Sequence, residues 1–159
     1  MLRKLLSTSD DRVLLLLRLA LGVVMFPHGA QKALGWYGGA GLDATIAQFG
    51  QMGIPSFLSM LVVAAEFLGS ILLVVGFLGR VAAFGIACVM VGAVILVALP
   101  NGFFMNWSGQ QAGEGFEYHI LAFVLAAVIM WRGSGAASVD RALPHSTFVG
   151  ETRMSGYGR

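Results

Sequence analysis

Apolar residues in this chain gather into long runs instead of alternating with polar ones. The first run is about Val13–Ala33, the next extends from Phe57 to Leu99, and the last is about Phe116–Trp131. A helix needs roughly 20 mostly apolar residues to cross a bilayer. The middle run holds only Glu66 and Arg80 as charges and is too long for one crossing. Gly76-Phe77-Leu78-Gly79-Arg80 offers the tight turn that divides it. The pattern therefore predicts an all-α integral membrane four-helix bundle with spans near 13–33, 57–77, 80–99 and 116–132. These form one domain over 1–143, followed by a polar tail over 144–159.

Shorter signals fill the gaps. Ser9-Asp10-Asp11 reads as the capped, acidic start of the first span. Leu42, Ile46 and Phe49 recur at helical spacing, which predicts a short helix lying along the membrane surface. Gly53 and Pro55 end it. The glycine-rich stretch from Trp36 to Gly41 lacks the strand–loop–helix setting of a phosphate cradle. Asn101, Asn106, Trp107, Gln110 and Gln111 suggest an ordered polar cap between the last two spans. Gly69 with Gly76, and Gly85 with Gly92, repeat at heptad spacing, as a close seam between spans two and three would require.

Composition strengthens this picture. Hydrophobic residues make up 57% of the chain and charged ones 11%, against about 25% charged in soluble domains. Such a surface faces lipid. Cys88 is the only cysteine, which excludes an intramolecular disulfide or a CxxC redox cycle. The run after Arg3 and Lys4 reads as a retained span, because three more follow it. With both termini on one side, Arg3, Lys4, Arg12, Arg80, Arg132, Arg141, Arg153 and Arg159 share that side, and Lys32 stands opposite. The positive-inside rule then places both termini in the cytoplasm. Trp36, Tyr37, Trp107 and Tyr118 mark the outer interface and Trp131 the inner one.

Candidate chemistry lies in the ionisable groups within the spans, each costing about 3 kcal/mol to insert. They are Arg18, His28, Lys32, Glu66, Glu117 and His119. Arg18, His28 and Lys32 fall within an arc of roughly 80° on one helix face at about 100° per residue. Pro27 offers a kink before His28. The six residues predict a polar network opening outward and descending to Glu66, which needs a cation or a proton near the midplane. Arg18 either pairs with Glu66 or snorkels to the headgroups. No metal is expected: Glu117 and His119 diverge by roughly 200° on a helix, and no Glu-x-x-His pair occurs. Nucleic-acid binding and Ser–His–Asp hydrolysis find no support.

Arg18…Gly22…Phe26-Pro27-His28-Gly29-x-x-Lys32 resembles the first span of the DoxX family. Glu66-Phe67-x-Gly69 with Gly76…Arg80, Asn101-Gly102-Phe103-Phe104, Gly115-Phe116-Glu117-Tyr118-His119, Gly133-Ser134-Gly135 and Ser138-Val139-Asp140 continue the resemblance over about Val13–Leu143. It implies a small four-helix protein of the bacterial inner membrane, in a family linked to quinol oxidation and to thiol or sulfur redox. The expected function is therefore a quinone-interacting or redox-associated subunit. Its partners would be the bilayer, further copies of the chain or a redox protein, and quinone. A transport or permeation subunit and a purely structural or assembly subunit are the alternatives.

Overall fold

The computed structural model describes residues 5–143, so the expected tail over 144–159 lies outside the described residues. Those residues form helices and no strand. The helices are α1 (Arg12–Leu34), α2 (Leu42–Gln51), α3 (Ser56–Val75), α4 (Gly79–Ala93), α5 (Glu117–Arg132) and the short α6 (Val139–Ala142). α4 runs on through a π-helical turn, Val94–Ala98, and a 3₁₀ turn, Leu99–Asn101. Among the described residues three segments are long and apolar enough to cross a membrane: α1, α3 and α4 with its extension. α5, at 16 residues, is shorter.

Local signals set the boundaries. The Asp11 side chain accepts from Val13 N at 2.8 Å and Leu14 N at 3.4 Å, capping α1. Gly35 ends that helix in the left-handed region at φ 71°. Pro27 lies inside α1 without breaking it. The turn between α3 and α4 falls where the glycines place it, with Gly76 at φ 71°. The loop after α4 is tied by Asn101 Nδ2 to the Val97 and Glu114 carbonyls, and by Asn106 to Gln111.

The long helices close a ring, α1 on α3, α3 on α4, α4 on α5 and α5 back on α1, with α2 laid against α3 and α1. Leu21, Met25, Leu73, Ala83, Ile86, Met90, Ala126 and Ile129 fill its centre. The expected glycine seam sits elsewhere. A Cβ on Gly92 would meet open space and one on Gly69 only ordinary contacts, although Gly85 does press on Ala65. The closest approach is α1 on α3. A Cβ on Gly22 would strike Ser70 and Val74, and one on Gly29 would strike the backbone of Glu66 and Phe67. Heptad spacing fits all these pairs equally; only the tertiary partner decides which one is squeezed.

Arg18 overturns its sequence-based expectation. It neither snorkels nor pairs with Glu66. It is fully buried at the end of the bundle that holds both described termini. Its guanidinium donates to the carbonyls of Leu73 and Val74 at 2.6 Å, Ser134 at 2.9 Å, Ala137 at 3.0 Å and Ala136 at 3.3 Å. It thus gathers the last turn of α3 and the segment after α5. The reason is distance: Lys32 lies 14 residues farther along α1, about 21 Å at 1.5 Å per residue. Glu66 faces the Lys32 end.

Asp140 completes this knot at 1% exposure. Its carboxylate accepts from Leu78 N at 2.7 Å, Gly79 N at 3.1 Å and Ser134 Oγ at 2.5 Å. Leu78 has φ 50°, a left-handed conformation that costs a non-glycine residue about 1–2 kcal/mol. The two charge-assisted bonds from Leu78 N and Gly79 N offset that strain and start α4.

Candidate functional site

At the opposite, loop end, the α1–α3 crossing builds the candidate site. Because Gly29 has no side chain, α1 comes close enough to α3 for Lys32 to reach Glu66. Lys32 Nζ stands 2.6 Å from Glu66 Oε2. The approach makes an ion pair but is oblique, so Oε2 accepts no aligned hydrogen bond. Glu66 is 5% exposed, whereas the Lys32 side chain keeps 27% of its surface open. Lys32 Nζ also lies 3.5 Å from the His28 carbonyl, and the Lys32 carbonyl accepts from Thr45 on α2 at 3.5 Å. A half-open cation thus meets a buried carboxylate where two helices touch.

Aromatic rings extend the site sideways. The His28 ring lies 5.9 Å from that of Tyr118, and Tyr118 lies 5.6 Å from His119. Tyr118 donates its hydroxyl proton to Met25 Sδ at 3.3 Å. The charges of Lys32 and Glu66 bear on His28, and that of Glu66 on Tyr118. The row ends at His119. Its Nδ1 is buried and makes no well-aligned hydrogen bond, with the Gly115 carbonyl as the backbone group that bears on the ring.

His119 also lines an open groove of about 220 Å³ between α4 and α5, with Met90, Val91, Val94, Ile95, Ile120 and Phe123. The whole lining is apolar, His119 included, for its Nδ1 is buried and its ring presents carbon to the groove. The π-helical turn begins at Val94, one of the lining residues; such turns often occur at functional positions. The groove and the ion pair therefore flank one row of three packed rings, each on a titratable side chain.

Of the six residues singled out in the sequence, the structure gathers His28, Lys32, Glu66 and His119 around this row. Arg18 stands apart in the knot described above. Glu117 turns the other way. Its Oε1 accepts from Met105 N at 2.8 Å and Trp107 Nε1 at 3.2 Å, fastening the loop to the start of α5. That follows from the helical offset between positions 117 and 119. Among the described residues, no three His, Cys, Asp or Glu side chains converge as a metal site would need. The sequence marks Tyr118 only as an interface residue, and the available signal was its place between Glu117 and His119. Asp140 and Ser134 were noticed only through the family resemblance, because nothing local announces a carboxylate that caps a helix some 60 residues earlier.

Comparison with known proteins agrees with the resemblance. A family model described as DoxX matches residues 13–99. A Bacillus subtilis (strain 168) protein named "Putative oxidoreductase CatD" is 35% identical over 92 residues. That match covers 58% of this chain and 64% of the relative's length. No solved structure is significantly similar to the chain.

Proposed function

The chain belongs to the DoxX family of membrane proteins, and on that premise we propose that it is a quinone-interacting subunit that exchanges protons with the quinone head while a partner protein carries the electrons. The observation that carries this reading is the row His28–Tyr118–His119, which joins a buried carboxylate–ammonium pair to an apolar groove. A quinone has the matching shape: an isoprenoid tail for the groove and carbonyl oxygens that accept hydrogen bonds. Reduction to quinol consumes two electrons and two protons. His119 borders the groove with its Nδ1 buried behind the apolar lining, and in this reading it turns that nitrogen to the quinone head to hand over or take up a proton. Tyr118 and His28 lie between it and the half-open Lys32–Glu66 pair at the loop end, and a proton path along this row needs water or ring rotation between them. The word oxidoreductase in the relative's name supports a redox setting.

The same proposal places four crossings in a bacterial inner membrane with both termini cytoplasmic. α5 spans about 24 Å at 1.5 Å per residue, packs along α4 and α1, and turns Leu121, Val124 and Trp131 outward. Arg80 and Arg132 lie at the termini end and Lys32 at the loop end, as the positive-inside rule asks.

Glu66→Gln tests the role of the pair. In membranes of a strain lacking the chain, restored with wild type or variant at equal abundance, quinol-linked turnover should fall by about 10²-fold, the usual scale for a lost proton-transfer group. Full turnover accompanied by lower thermal stability would assign the pair a structural role and refute the proton-exchange reading.

A further inference from the structure

A second site lies at the termini end, away from the row of rings. Ser7, Thr8, Ser9, Arg80, Trp131 and Arg132 line an open pocket of about 320 Å³ between the segment before α1 and the facing ends of α4 and α5. Arg80 holds this region together. Its Nη1 donates to the Met130 and Trp131 carbonyls and its Nη2 to Ser7 O at 3.0 Å. One Nη2 hydrogen is left over. Among the described residues no carboxylate comes within salt-bridge distance of Arg80. The nearby acids are engaged elsewhere: Asp10 pairs with Arg141 at 2.8 Å, while Asp11 caps α1 and touches Arg132 at 3.8 Å. Arg132 keeps 54% of its side chain open. The pocket thus holds excess positive charge beside serine and threonine side chains and a Trp131 that is 79% exposed.

Directly beyond Arg80, Val81, Phe84 and Cys88 form an exposed apolar stripe on α4 at helical spacing. Positive charge, hydrogen-bond donors and an adjoining apolar track are what a phospholipid presents in complement. We propose that this pocket binds the phosphate of an anionic phospholipid, with an acyl chain laid along the α4 stripe. The charge complementarity selects an anionic lipid over a zwitterionic one, and the stripe selects a lipid over a free phosphate.

Native mass spectrometry of the delipidated full chain in detergent tests this, with dioleoylphosphatidylglycerol, dioleoylphosphatidylcholine and inorganic phosphate as probes. Phosphatidylglycerol adducts should form with at least roughly tenfold preference over phosphatidylcholine. Arg132→Gln removes no carbonyl contact and should reduce that preference about fivefold, the weight of one interfacial arginine. Arg80→Gln should abolish it, and Arg132→Gln keeps the test decisive should the Arg80 variant fail to fold. Equal uptake of both lipids, or an unchanged preference in Arg132→Gln, overturns the proposal. Displacement of phosphatidylglycerol by millimolar phosphate would assign the pocket to a soluble anion and overturn the lipid assignment.

Discussion

Arg18→Met should lower the unfolding free energy by about 3–5 kcal/mol, the cost of removing one partner from a buried charge network. Five carbonyls on two separate segments lose their shared donor. Hydrogen bonds in membrane helices average about 0.6 kcal/mol each, so five give about 3 kcal/mol by an independent route. The nearby buried Asp140 also loses a compensating cation. Arg18→Lys keeps the charge but not the planar fork, and should recover only part of the loss. Unfolding in graded SDS measures both. A loss below about 1 kcal/mol for the methionine variant would mean that the carbonyl cage is not what joins α1 to α3 and the segment after α5.

Gly29→Ala should be nearly as damaging, although it adds one methyl group. The new Cβ would meet the backbone of Glu66 and Phe67, not the flexible end of a side chain. Backbone cannot move aside without displacing the helix. Overpacking of this kind costs about 1–3 kcal/mol and sometimes more. Gly92→Ala is the matched control. Nothing lies within 4 Å of its added Cβ, so better helix propensity should leave it neutral or up to about 1 kcal/mol more stable. Gly29→Ala should also push Lys32 away from Glu66, linking packing to the candidate site. Equal stability of the two variants in the same SDS titration would contradict the close crossing.

The sequence made some of this legible and hid the rest for physical reasons. Apolar runs located the long helices because lipid imposes one requirement on every residue of a span. The turn at Gly76 was visible because left-handed backbone favours glycine. The shared face of Arg18, His28 and Lys32 was visible from helical geometry, and Arg18 and Lys32 do reach α3, whereas the His28 ring lies against Tyr118 on α5. Their partners were not visible. Backbone carbonyls carry no sequence signature, so the cage around Arg18 left no trace. Asp140 reaches back to Leu78 and Gly79 through the folded chain alone. Equal heptads could not say that Gly29, and not Gly92, meets another backbone. The groove beside His119 is lined in part by Val94 and Ile95 of a π-helical turn in an unremarkable apolar stretch.

Titration of the purified full-length protein in detergent with decylubiquinone, followed by quenching of tryptophan fluorescence, tests the central claim most directly. The account predicts saturable binding to wild type. His119→Leu, which keeps the groove apolar but removes the imidazole beside it, should weaken that binding by roughly tenfold, the equivalent of one lost hydrogen bond. Quenching that never saturates, or identical affinity in wild type and His119→Leu, would contradict it.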